Sequence, residues 1–344
     1  VRIRLDPVPM TFPAPGARAW KRFGIVVLVV VAGVVPLGAS GIELFQLTNV
    51  LIYAIALLGL NILVGYNGQI SLGHGAFYAL GAYTAAILVA HAAVPHWVAV
   101  PIAGIVCLIC GFLFGLPALR LEKMYLAMAT LALGAVLPTV AKYKGVERWT
   151  GGSQGLGLDD LATPFGLPLS FDQWLYLFTL VTLILLFVIA TNLLGGRIGR
   201  AIVAIRDHPI AAQTMGINTA FYKSATFGIS AMYTGIAGAL AALAIKYLAP
   251  ELFGVFLSFG FLIGIAVGGI ASLSGAIYGA IFLQAILFVV GLTARSLHAA
   301  HVFAIYGIVL ILVLYFMPYG VAGLVARTSH WIRRRVGMPS LPRH

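Results

Sequence analysis

The chain has 344 residues, of which 61% are hydrophobic and 9% charged, and its mean hydropathy is +1.04. A soluble domain carries roughly 25% charged residues, so this composition excludes a soluble enzyme and leaves no room for a separate soluble domain. The net charge of +12 does not point to nucleic acid, because the basic residues sit between and beside apolar runs, where they set membrane topology.

Residues 1–22 are basic and Pro-rich and read as a cytoplasmic tail, with no cleavable signal peptide apparent. A membrane span needs roughly 20 apolar residues. Such runs predict spans over 23–40, 44–64, 69–92, 97–116, 124–141, 174–194, 224–247, 256–271, 276–293 and 302–318, with a second basic tail over 321–344. The expected fold is an all-α integral membrane protein of about ten transmembrane helices, forming one membrane domain over 23–320. Residues 256–293 read either as two short helices or as one hairpin dipping through GGIASLSG. With the N-terminus inside, sixteen of the 21 Lys and Arg residues fall inside, and only Lys142, Lys144, Arg148, Lys246 and Arg295 fall outside. The positive-inside rule therefore places both termini in the cytoplasm.

The stretch from Asn61 to Tyr83, NILVGYNGQISLGHGAFYALGAY, is the most informative. Gly65, Gly68, Gly73 and Gly75, with Asn67, Gln69, Ser71 and His74, interrupt an otherwise membrane-grade run. Hydrocarbon cannot satisfy exposed amide or backbone groups, so the stretch must face protein or a water-filled cavity. It reads as a broken or tightly packed helix along a transport pathway. Asn61, Asn67, Gln69 and Ser71 are candidates for a zwitterionic substrate's charged ends, or for cross-helix bonds. His74 is a candidate proton relay or gate, or a histidine donating to a nearby carbonyl. Phe77 and Tyr78 are candidate apolar walls, or plain packing residues. A weaker echo, GGIASLSGAIYGA at Gly268–Ala280, raises the question of an internal repeat flanking a midplane pathway.

Between the fifth and sixth spans an outer connection, about 142–173, carries GGSQGLGL and the acids Glu147, Asp159 and Asp160. Those three acids could meet basic residues on an external partner, or simply be solvated. Farther on, an inner connection of about 195–223 holds Arg206-Asp207-His208-Pro209, which reads as a helix start with Pro in the first turn. A short helix over Ile210–Met215 follows, and Gly216 and Asn218 suit its C-terminal end. Ile210 and Met215 on so short a cytoplasmic helix read as a knob for a partner's groove, or as an anchor lying on lipid. Cys107 and Cys110 lie inside an apolar run without further ligands and read as packing thiols.

Several blocks occur together and in order: GYNGQISLGHGAFYALGAY, LAMATLA (Leu126–Ala132), GGSQGL (Gly151–Leu156), AIRDHPIAAQTMGIN (Ala204–Asn218), YKSATFGISAMYTGIAGAL (Tyr222–Leu240) and FLIGIAVGGIASLSGAIYGA (Phe261–Ala280). In these the chain resembles the permease subunits of branched-chain amino-acid ABC importers, of the LivM type, over most of residues 45–320. The resemblance implies a second related permease subunit, two cytoplasmic ATPase subunits that bind ATP and Mg, and an extracytoplasmic substrate-binding protein, all in a bacterial-type cytoplasmic membrane. It also implies that the inner loop docks into the ATPase, with Ala211, Ala212 and Gly216 matching the family's coupling segment. Ile210 stands where an acid is usual, and Glu122-Lys123 replaces an expected basic or small residue followed by Gly. The sequence has no Gly-Lys dipeptide and hence no P-loop, so a nucleotide site would belong to another chain. No catalytic constellation, metal-ligand cluster or cofactor motif is apparent. The expected function is import of branched-chain or other hydrophobic amino acids. The alternatives are a permease for urea or short amides, and an ion-coupled secondary transporter, which usually needs membrane-embedded carboxylates.

Overall fold

A computed structural model describes residues 40–118, 123–158 and 168–293, together with positions 33, 36, 38, 161, 163, 164, 307 and 320–323. The described residues are almost wholly helical. The long helices are α1 (Gly41–Asn61), α2 (His74–Ala92), α3 (His96–Ala118), α4 (Lys123–Ala141) and α5 (Phe171–Gly195). Two short helices follow, α6 (Arg197–Asp207) and α7 (Pro209–Thr214), and then α8 (Thr219–Ile245), α9 (Val255–Gly268) and α10 (Leu273–Thr293). Among the described residues six segments are long and apolar enough to cross a membrane, and α9 and α10 are shorter apolar helices. The expected first and last spans, 23–40 and 302–318, and most of both tails lie outside the described residues.

Local sequence sets the helix starts. Ser40 and Glu43 form a capping box at α1, and Ser170 and Gln173 form another at α5. Each joins the cap side chain to the third backbone N–H and returns a bond from the third residue. Residues 256–293 form two helices, α9 and α10, joined by a turn at 269–272 in which Ala271 has φ +60°. The third span begins at His74 rather than at residue 69, because residues 67–73 leave the helix altogether. The only strands among the described residues are the two-residue pair β1 (Leu156–Gly157) and β2 (Tyr247–Leu248), which are antiparallel.

The central helix is α8, which packs on α1, α2 and α3. It approaches them closely because its facing positions are small. A Cβ at Gly59 of α1 would lie 2.8 Å from the Ser230 carbonyl oxygen, and one at Gly228 would lie 2.9 Å from that of Leu108. Lipid offers no hydrophobic drive between helices, so such contact, with cross-helix hydrogen bonds, is what holds the bundle. The Tyr233 hydroxyl donates to the Leu186 carbonyl at 2.8 Å and ties α8 to α5. Cys107 is buried in the same seam, as a packing thiol should be, and Cys110 is half-buried.

The connections gather at two ends. At one end β1 pairs with β2, Lys142 bonds Glu251 at 2.5 Å, and His91 meets the Trp149 carbonyl at 3.3 Å. The loop reaching β1 needs left-handed backbone at Gly151 (φ +75°) and Gly155 (φ +79°), where a Cβ would strike neighbouring main chain. That requirement is the physical content of the GGSQG motif. At the other end the chain leaving α1 at Asn61–Gly65, the turn at 269–272 and helix α6 meet.

Candidate functional site

α1 does not end cleanly. Its last turn widens into a π-helix at Ile62–Tyr66, and the chain then runs without helix to Gly73. π turns of this kind are frequent at functional sites. The segment climbs back into the bundle, since His74 bonds Ser230, which lies eleven residues, or roughly 16 Å, into α8. Irregular backbone at such depth must be satisfied by protein, and side chains from three other elements supply partners. The Leu72 N–H donates to Thr130 Oγ1 of α4 at 2.9 Å, and the Gly75 N–H donates to Ser258 Oγ of α9 at 2.9 Å. The Gly65 carbonyl accepts from Arg206 Nη1 of α6 at 2.9 Å.

Asn61 is fully buried and clasps the 269–272 turn. Its Nδ2 donates to the Ser272 carbonyl at 2.7 Å, and its Oδ1 accepts from the Ala271 N–H at 2.9 Å. The two interrupted segments are thus bonded to each other at one end of the bundle. Their shapes differ, one a re-entrant strand of coil and the other a tight turn.

His74 sits in a chain of four groups. Its Nδ1 is 2.8 Å from Ser71 Oγ and its Nε2 is 2.7 Å from Ser230 Oγ. Ser230 uses its own proton on the Gly59 carbonyl at 2.7 Å, so it accepts from His74. The imidazole therefore carries its proton on Nε2 and accepts from Ser71 at Nδ1. Both ring nitrogens are committed. The partners are two serines rather than the single carbonyl that one sequence reading allowed.

Of the other residues in this stretch, Phe77 packs edge-to-face on Phe227 and Phe114, and Tyr78 packs against Phe253 and Phe261. Asn61, Asn67, Ser71, His74, Phe77 and Tyr78 are all buried, and Gln69 is half-buried. Asn67 stands apart, because neither atom of its buried amide has a hydrogen-bond partner among the described residues. Local sequence could not reveal Thr130, Ser230 and Ser258, which are single hydroxyls among small residues and gain their roles only through packing.

The connection between α5 and α8 consists of two helices. α6 is amphipathic, burying Gly199, Ala201, Ile202 and Ile205 while Arg197 and Arg200 stay exposed. Asp207 ends α6 and bonds Arg206 at 2.8 Å, so it is not the start signal of the next helix. Pro209 does open α7, with His208 before it. Gly216 stops α7 at φ +82°. Asn218 instead caps α8, its side chain accepting from the Phe221 N–H at 3.0 Å. Ala212 is buried beneath α7, while Ile210 and Met215 are 78% and 85% exposed.

At the opposite end Glu147 is exposed, and Asp159 and Asp160 lie outside the described residues. Among the described residues no group of His, Cys, Asp and Glu could hold a metal ion.

The chain matches, over residues 43–318, the family described as branched-chain amino acid transport system / permease component. Over 292 residues it is 33% identical to the high-affinity branched-chain amino acid transport system permease protein LivM of Salmonella typhimurium, covering 78% of this chain and 68% of that protein. The LivM protein of Escherichia coli is 34% identical over the same length and shares. No solved structure matches. The chain is a multi-pass membrane protein and belongs to the family of branched-chain amino acid transport permease components.

Proposed function

We propose that the chain is one permease subunit of an ATP-driven importer of branched-chain or similarly apolar amino acids. In this reading an external binding protein delivers the substrate. A second, related permease completes the pathway, and two cytoplasmic ATPase subunits hold ATP and Mg. The α6–α7 end faces the cytoplasm of a bacterial-type cell, with both termini on that side, and the β1–β2 end faces outward, where Glu147, Asp159 and Asp160 meet the binding protein.

Beyond family membership, one observation carries the reading. The α6–α7 loop presents two large apolar side chains, Ile210 and Met215, to the outside of the bundle, while Arg206 in the same loop holds the Gly65 carbonyl of the broken helix. A knob on a partner's groove is thereby joined to the least regular backbone in the membrane. Ala211, Ala212 and Gly216 shape the knob, and Asp207 steadies Arg206. Inside the bundle, the buried stretch holding Asn61, Asn67, Gln69, Ser71, His74, Phe77 and Tyr78 forms the frame on which the pathway opens and closes.

Co-purification from the native membrane tests this reading. The tagged chain should bring a second permease and two ATPases with it. Ile210→Glu with Met215→Glu should release the ATPases and leave the permease pair intact, since both side chains are exposed and their loss leaves no cavity. A chain that emerges alone and moves substrate without ATP would overturn the proposal.

A further inference from the structure

The long apolar helices α1 and α10 pack side by side and leave between them an open groove of about 450 Å³. Three polar side chains line it: Glu43, Gln46 and Gln284. Glu43 and Gln46 lie in the first two turns of α1, while Gln284 lies eleven residues, or roughly 16 Å, into α10. The polar groups therefore step from the outer end to about the middle of the membrane domain. Amide side chains at such depth are costly against lipid and normally face protein or water. Neither Gln46 nor Gln284 has a side-chain hydrogen bond among the described residues, whereas Asn61 in the neighbouring stretch has its bonds filled. A purely lipid-facing groove has no use for these amides.

From this we infer that the α1–α10 groove binds a free α-amino acid with an apolar side chain, on its way inward from the outer face. The inference rests on the proposed function and locates the substrate on this chain. Glu43 receives one bond from the Ser40 N–H, through Oε2 at 2.8 Å, and its other oxygen remains to take the ligand's ammonium group. The amide N–H groups of Gln46 and Gln284 suit the carboxylate. Leu47, Ile281 and Phe288, all exposed along the groove, form the wall for an aliphatic side chain. The volume falls within the roughly 300–1,000 Å³ typical of ligand sites and leaves room for a single amino acid.

The test uses the full complex in inverted and right-side-out vesicles. Gln284→Cys, in a chain whose Cys107 and Cys110 are replaced by Ala, is labelled with a water-soluble maleimide with and without L-leucine. Labelling is expected in the assembled complex. Saturating leucine should slow it roughly tenfold, as ligand at ten times its dissociation constant would. Gln284→Leu should cut leucine uptake roughly tenfold or more, as loss of a hydrogen bond to a charged group does, and Gln284→Asn should restore part of it. Labelling that leucine leaves unchanged overturns the inference. So does a cysteine reached only in the isolated chain, which would make the groove a subunit interface. So does a cysteine reached in neither, which would make it lipid-facing. ATP-driven uptake by the unmodified complex is read in the same vesicles. Its absence would sink the proposed function, while leucine protection of the cysteine reports on the groove by itself.

Discussion

At the scale of single residues, His74 is bonded on both sides of its ring. Ser71, His74, Ser230 and the Gly59 carbonyl form one directed chain. Its value is in holding the start of α2 against α8. Replacing His74 with Leu would leave the buried Ser71 hydroxyl without its acceptor and remove the donor to Ser230, which keeps its bond to the Gly59 carbonyl. An unsatisfied buried group costs about 1–3 kcal/mol, and cross-helix bonds in membranes average about 0.6 kcal/mol, so a loss of about 1–2 kcal/mol is expected. Thermal unfolding of the detergent-solubilised complex should show it as a lower apparent Tm. An unchanged Tm would mean that the serines re-pair, and the chain would then carry no structural weight. A second residue-scale expectation concerns Glu251, whose carboxyl is held below its ordinary value chiefly by the hydrogen bond from Lys142. A carboxylate with a depressed folded-state pKa stabilises the fold above its unfolded pKa, and that contribution disappears as pH falls through the lowered value. The pair is exposed and its effect small. Limited proteolysis of the loops at the β1–β2 end should find Lys142→Met slightly more easily cut than wild type near neutral pH. The difference should vanish below the carboxylate range, and a difference that persisted there would assign Lys142 some other role.

Among the elements, the inner loop shows both what local sequence can convey and where it stops. Pro209 at the start of α7 and Gly216 at its end were legible because each acts through its own backbone, one by a fixed φ and a missing N–H, the other by a left-handed conformation. Asp207 and Asn218 were misplaced by one element each. Both are residue types that suit more than one terminus, and their true neighbours depended on α6 being a helix. The apolar stripe of α6 is built largely from Gly199, Ala201, Ile202 and Ile205, too small a set to stand out beside two membrane spans. Arg206 was legible as part of the loop, but its reach across 141 positions to Gly65 was not, since no spacing rule links them. That contact leads to an expectation about coupling. Arg206 also lies against Gly68, where φ is +71° and a Cβ would come 2.7 Å from Arg206 Cγ. Replacing Arg206 with Met removes the hydrogen bond and keeps most of the packing stem. On the proposed function, the complex should still assemble and hydrolyse ATP, while leucine uptake falls roughly tenfold, the equivalent of about 1.4 kcal/mol. Parallel loss of hydrolysis and assembly would instead make Arg206 part of the ATPase dock.

Across the whole molecule, hydropathy located every described membrane helix, with starts off by up to five residues at His74 and Thr219, because lipid tolerates little else over such lengths. What it could not convey was which helix sits at the centre. α4, α5 and α8 read alike as apolar runs, yet α8 is largely buried while α4 and α5 expose much of their surface. The distinction lies in the small residues of α8, and composition alone does not say which of the 40 glycines meet another helix. Gly228 and Gly260 make the point as a pair. Both are helical glycines in apolar surroundings, on α8 and α9. A Cβ at Gly228 would lie 2.9 Å from the Leu108 carbonyl and 3.1 Å from Phe112 Cβ, whereas one at Gly260 meets nothing within 4 Å. Ala at Gly260 should therefore stabilise α9 by the helix preference alone, about 0.5–1 kcal/mol. Ala at Gly228 gains the same preference but must push α3 away from α8, and overpacking of that kind costs about 1–3 kcal/mol. In membranes, where close approach is itself the main attraction between helices, that separation weakens contacts along the whole seam. Gly228→Ala should accordingly lower both the amount of chain accumulated in the membrane and the apparent Tm of the purified complex, and Gly260→Ala should lower neither. Equal tolerance at the two positions would show that α3 can shift without loss, and that the bundle is held chiefly by its cross-helix hydrogen bonds at Asn61, His74 and Tyr233.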